Sequence, residues 1–175
     1  MKKQNNCHIQ KNVTDINEAC NAGSKSMVNL VDYCQTLFQT WEKNNQDKGI
    51  TLQFHNELKD EQVCTSYVFD QDLLTDALEN TIQNIYKKDY LTSYFTLTLL
   101  NTDPDTCVIR LQRDGHVIAP DDLLSINGKQ FSPKHFNDYK GLVMCQLFAF
   151  EHAENIEAKA CSNSTYTSVT ITFHK

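Results

Sequence analysis

Apolar residues recur at three- and four-residue steps from Met27 onward: Met27, Val28, Leu30, Val31, Cys34, Leu37, Phe38 and Trp41. That period predicts an amphipathic helix ending near Asn44-Asn45, before Gly49. The period then falls to two. Ile50-Thr51-Leu52-Gln53-Phe54 alternates as a half-buried strand does, and Val63–Phe69 predicts a second strand. A helix is expected from Gln71 to Lys87, then a strand over Tyr94–Leu100. Asn101-Thr102-Asp103-Pro104-Asp105 is a turn, and Cys107–Leu111 returns as the second arm of a hairpin. Pro120–Leu124 suits a short helix with proline at its start.

Residues 127–138 read as a mobile loop. Lys140–His152 predicts a helix carrying Leu142, Val143, Leu147, Phe148 and Phe150. A second hairpin closes the chain, and its last strand alternates strictly, with Val169, Ile171 and Phe173 against Ser168, Thr170 and Thr172. At the other end, residues 1–13 are polar and without period; Asp15, with Glu18 three residues on, is a plausible N-cap for a short helical stretch. The pattern divides the chain into an N-terminal segment, 1–26, partly disordered or helical, and one domain, 27–175. The order of elements predicts an α+β fold. It is a two-layer sandwich, with about three helices on one face of a mixed, mostly antiparallel sheet.

Composition agrees with a single globular domain: 175 residues, 40% hydrophobic and 22% charged. The net charge of −6 argues against non-specific nucleic-acid binding, which needs a basic face. No apolar run approaches the roughly 20 residues that span a bilayer, so no direct membrane contact by this domain is expected. The seven cysteines are odd in number, widely spaced and lack a C-x-x-C pair. They predict reduced thiols in a cytoplasmic protein or in the cytoplasmic part of a membrane-bound receptor.

Five local runs share one pattern. Lys48-Gly49-Ile50-Thr51-Leu52 enters the first strand. Leu78-Glu79-Asn80-Thr81-Ile82 lies mid-helix. Asp114-Gly115 is followed by Pro120-Asp121-Asp122-Leu123. Gly141-Leu142 leads to His152 and Asn155-Ile156-Glu157, and Ser164-Thr165-Tyr166-Thr167 follows. In order and spacing they resemble the ATP-binding domain of bacterial sensor histidine kinases, of the histidine-kinase-like (GHKL) ATPase family. The resemblance covers roughly residues 27–173. It implies a Bergerat-type fold, a role in two-component signalling, and Mg²⁺ and ATP as ligands. The partner it implies is a phosphoacceptor-helix domain or another signalling protein.

At 100° per residue, Asp76, Asn80, Gln83, Asn84 and Lys87 fall on one stripe of the second helix. Such a stripe also describes an ordinary solvated helix face. By resemblance Asn80 holds Mg²⁺ and phosphate, and its amide oxygen suits that hard cation. Asp76 stands where the gyrase-type branch places its water-activating acid. Asp114, Gly115 and Gly141 fall on the adenine- and phosphate-binding boxes, and Lys87 or Lys88 is expected to reach in from the next turn. Four residues depart from the family pattern. Gln83 replaces a basic residue, Asn84 an aromatic, and Val117 a glycine. Arg113 stands where the family keeps the aspartate that accepts adenine's amino group. Arginine has five donors and no acceptor, so this exchange disables the contact. Asp114 substitutes for it only if the strand bulges, since one residue of shift turns a side chain to the other face.

Two functional expectations follow. One is a domain with a degenerate nucleotide site, serving as a regulatory or protein-docking module. The other is a working Mg·ATP domain that phosphorylates a histidine on a domain absent here. An anti-sigma-factor-type kinase and a histidine phosphotransferase with a degenerate domain of this kind are further relatives under the same resemblance.

Overall fold

The computed structural model describes residues 25–45, 49–59, 63–86, 93–115 and 117–175. The helical stretch expected after Asp15 lies outside them. Twelve elements follow in order: β1 (Ser26–Asn29), α1 (Leu30–Asn45), β2 (Ile50–Glu57), β3 (Ser66–Phe69), α2 (Gln71–Tyr86), β4 (Ser93–Asp103), β5 (Thr106–Asp114), α3 (Pro120–Asn127), α4 (Pro133–Asp138), α5 (Lys140–Glu151), β6 (Ile156–Ser162) and β7 (Tyr166–His174). Five strands form one sheet in the order β2-β4-β5-β7-β6, with only β2 and β4 parallel. Helices cover one face of this mixed sheet, as the element order predicts.

The core lies between the two layers. On β5, Cys107, Ile109 and Leu111 point inward, while Arg110 and Asp114 face out. Beside it β7 contributes Val169, Ile171 and Phe173, and β4 contributes Phe95, Leu97 and Leu99. From above come Leu30, Cys34, Leu37 and Trp41 of α1, Leu74, Leu78 and Ile82 of α2, and Leu142, Cys145 and Phe148 of α5. Phe69 sits at the centre, edge-on to Tyr33 and Phe148 and tilted against Phe173, with centroids 5.3–6.0 Å away. All five described cysteines are free. Burial pushes the thiols of Cys34 and Cys145 up to about 12, so both behave as small apolar side chains.

Two expectations are corrected. Met27 and Val28 are not helical; they belong to β1, which pairs antiparallel with β3 in a separate small sheet. The helix begins at Leu30 because the Asn29 side chain accepts from the amides of Val31 (2.9 Å) and Asp32 (3.3 Å), capping its first turn. The expected loop at 127–138 contains α4. Pro133 starts it, and Ser132 and His135 form a reciprocal cap.

His152 ends α5 and is buried. Its Nδ1 donates to the Phe148 carbonyl (2.8 Å) and its Nε2 accepts from the Asp70 amide (3.1 Å). It ties α5 to the start of α2. Asp70 in turn accepts from the Leu73 amide at 3.0 Å. Phe69→Ala is expected to cost about 3–5 kcal/mol, the range for an aromatic removed from a packed core, measured by urea unfolding.

Candidate functional site

Mid-helix α2 presents its polar stripe as the sequence predicts. Asp76 and Gln83 are exposed and Asn80 is half-buried. The Asn80 amide donates to the Asp76 carbonyl one turn back, at 2.8 Å. Lys87 and the side chain of Asn84 lie outside the described residues. The opposite side of α2, through Ala77 and Thr81, faces α5, and Thr81 Oγ1 donates to the Ala77 carbonyl at 2.9 Å.

Arg113 is 5% exposed. It pairs across the sheet with Phe95 and Thr167 and projects from the helix-covered face of β5. With Thr81, Phe95, Leu111, Leu142, Thr167, Ser168 and Val169 it lines a cavity of about 10 Å³. Space of that size holds one water molecule at most, whereas ligand pockets run to about 300–1,000 Å³.

Gly141 explains the tightness. A Cβ built there would collide with the amide nitrogen, Cα and Oγ1 of Thr81. The glycine lets α5 approach the backbone of α2; it does not open space for a ligand. Gly115 has φ +77° and its amide donates to the Thr165 carbonyl at 2.8 Å, so a left-handed turn accounts for it. Asp114 is turned to the outer face, where Gln112 donates to it at 3.2 Å, and the strand runs in register through it. It is not brought to the Arg113 cavity. Val117 is 56% exposed and does not line the cavity, so its bulk is not what closes it.

The chain between β5 and α5 is fastened at two places that the sequence did not signal. Asp122 of α3 accepts from Lys134 Nζ (2.8 and 3.0 Å), His135 Nε2 (3.3 Å) and the Tyr139 hydroxyl (3.3 Å). The Lys134 ammonium, then His135 and Tyr139, hold its carboxyl below the usual range despite partial desolvation. His135 Nδ1 accepts from the Ser132 amide at 3.0 Å, so Nε2 carries the proton that meets Asp122. Farther along, Asn127 pairs with both backbone groups of Ala160 on the sheet edge, each at 2.8 Å, and Gln146 donates to it at 3.3 Å. Lys134 is thus engaged with Asp122, and Lys129 lies over the Phe150 ring at 5.3 Å.

At this end of β5 the Arg113 guanidinium carries donors and no acceptor, and the cavity it lines holds about 10 Å³. Among the described residues no group of three or more His, Cys, Asp or Glu side chains is placed to hold a metal ion. Among them, too, no helix is long and apolar enough to cross a membrane.

No protein-family profile matches the chain, and no curated protein sequence does. Solved structures do match it. The nucleotide-free catalytic domain of the histidine kinase ThkA is 16% identical, with 87% of this chain and 96% of that chain covered and a TM-score of 0.65. The mycobacterial sensor histidine kinase MprB is 14% identical, covering 86% and 97%, with a TM-score of 0.60. ThkA in complex with the response regulator TrrA gives 13% identity, 97% and 48% coverage, and a TM-score of 0.66. The chain therefore has the fold of histidine-kinase catalytic domains, as the five runs suggested.

Two outcomes are expected here. Gly141→Ala forces α5 off α2 and costs roughly 1–3 kcal/mol or more in urea unfolding, because backbone atoms cannot step aside. The Asp122 contacts are fully present above the ordinary carboxylate pKa of about 3.9 and are lost as pH falls through its lowered value. Hydrogen exchange of the 133–139 amides, corrected for intrinsic rates, should lose protection across that acidic range. In Asp122→Asn the protection should be weakened already at neutral pH.

Proposed function

We propose that this domain has a degenerate nucleotide site and works as a regulatory or protein-docking module of two-component signalling. The observation that carries the reading is the closed floor: a buried Arg113 beside a cavity of about 10 Å³, with Gly141 pressed on Thr81. Replacing one acceptor by a donor loses a charge-assisted bond and leaves ligand groups unpaired. Each loss is worth about 1–3 kcal/mol, and together they cost about two orders of magnitude in affinity. The closed space adds the work of parting two packed helices.

A protein partner is supported by the fold's company. ThkA, whose structure includes the response regulator TrrA, shares this architecture. A phosphoacceptor-helix domain or a receiver-like signalling protein is the class of partner we assign, and the cytoplasm its place of action. The second reading, Mg·ATP held through Asn80 for transfer to a histidine on another domain, has one observation in its favour. Asp76 and Asn80 stand within one turn of each other on an accessible stripe.

Calorimetry with Mg·ATP separates the two. No binding heat is expected, and a micromolar dissociation constant that Asn80→Ala abolishes would establish the second reading. Arg113→Asp, alone or with Val117→Gly, should leave binding absent, because the cavity itself is closed. Binding restored by that exchange would mean that only the donor clash disables the site.

A further inference from the structure

The lead-in to β3 is bound to the turn of the β4–β5 hairpin. The Cys64 amide donates to the Pro104 carbonyl at 2.9 Å. The Tyr67 hydroxyl donates to the carbonyls of Cys64 (3.0 Å) and Asp105 (3.3 Å). One residue on, the Thr65 carbonyl accepts from the Leu30 amide at 2.8 Å, where α1 begins. This short segment therefore joins three parts of the molecule: the small sheet, the first turn of α1 and the five-stranded sheet.

Two thiols come together at that junction. Cys107 is wholly buried near the start of β5, and its Sγ donates to the Cys64 carbonyl at 3.1 Å. Its sulfur thus lies within roughly 5.5 Å of the Cys64 Cα, about the span that a Cβ, an Sγ and an S–S bond cover. Cys64 is only half-buried, so a small oxidant reaches it. Its Sγ is turned to the Ser66 carbonyl at 3.6 Å, a weak contact that one χ1 rotation gives up. An accessible thiol with a second thiol beside it is the arrangement in which a sulfenic acid is resolved to a disulfide.

We infer that Cys64 and Cys107 form a reversible redox pair, in which a peroxide oxidises Cys64 and Cys107 then closes an intramolecular disulfide. In the first step the Cys64 sulfur attacks a peroxide oxygen. The O–O bond breaks, the sulfur is oxidised to a sulfenic acid, and the peroxide is reduced, leaving as water. In the second step the Cys107 sulfur attacks the Cys64 sulfur. The S–S bond forms, the S–O bond breaks, and the hydroxyl leaves as water with the Cys107 proton. Burial raises the Cys107 thiol, which slows this step, while the fixed neighbourhood makes it unimolecular. A dithiol restores both cysteines by exchange. The bond staples the small sheet to the five-stranded one. Neither residue lines the Arg113 cavity, so the pair is independent of whether ATP binds.

The full chain is reduced, exposed to hydrogen peroxide, capped with N-ethylmaleimide in urea and digested with trypsin without reductant. Lys87 and Lys88 lie between the two cysteines, so cleavage there turns the bond into a cross-link between peptides, read by mass spectrometry. The expected cross-link is Cys64–Cys107, formed at a rate independent of protein concentration and removed by dithiothreitol. Its formation should raise the urea midpoint, and Cys64→Ser should abolish both the cross-link and that rise. Cys107→Ala should leave Cys64 as a sulfenic acid that dimedone labels. The inference is overturned if Cys64 is recovered as a free thiol or only as a sulfinic acid, if Cys107 bonds instead to Cys34 or another cysteine, or if the link joins two chains.

Discussion

The contact on which the rest of the molecule depends is the one between Gly141 and Thr81. Two helices rarely come this close, and here only the missing Cβ allows it. It sets the distance between α2 and α5, and so where Leu142, Cys145 and Phe148 land on the sheet. Protein interiors tolerate little void, so once two helices are brought together the layer beneath must fill. It is filled by Arg113, Phe95, Leu111 and Val169, leaving about 10 Å³. At Arg113 this layer is packed as core.

Arg113 in that layer has its own consequence. A guanidinium at 5% exposure is costly to desolvate, and its place at the sheet end beside Thr167 and Ser168 gives it polar surroundings. The chain that leaves β5 beyond it is held as well. Asp122 gathers Lys134, His135 and Tyr139, and Asn127 pairs with Ala160 as though it were a further strand residue. That pairing covers part of an edge strand, where open backbone groups would otherwise invite association. Opening the space above Arg113 would disturb α5, to which these ties are joined through Gln146.

The two long sides of α2 therefore differ in character. Toward α5 it is dry and tightly packed; toward α1 it borders a polar space with Trp41 as one wall. One helix carries both because its stripes repeat at different angles. Ala77 and Thr81 share one side, and Glu79, Ile82 and Gln83 share the other.

Much of the fold was legible along the chain. The alternation of Val169, Ile171 and Phe173 gave the inward face of β7, whereas the strand read over Cys107–Leu111 continues through Arg113 to Asp114 in the structure. Both hairpins, the long helices and the mixed sheet followed from their periods and turns. Where local signals overlapped, the reading slipped: Met27 and Val28 fit a helical period but pair as a strand with Tyr67 and Val68. The short helix α4 was hidden in a polar stretch, although Ser132-Pro133 with His135 three residues after the serine carries a capping signal.

What the sequence by itself determined was orientation: which residues turn inward, in what order the elements follow, and that position 113 carries donors and no acceptor. Only the tertiary structure decided separation. Gly141 fits a ligand-facing loop or a helix contact equally well on paper, and Val117 looks like a plug until it is found on the surface. Asp122 meets His135 across thirteen positions with no local pattern to announce it, and Trp41 and Gln83 are brought to one cavity from different helices. Periodicity is set by neighbouring backbone geometry, which every short stretch carries within itself. The distance between two helices is set by all the side chains packed around them at once, and no short stretch carries that.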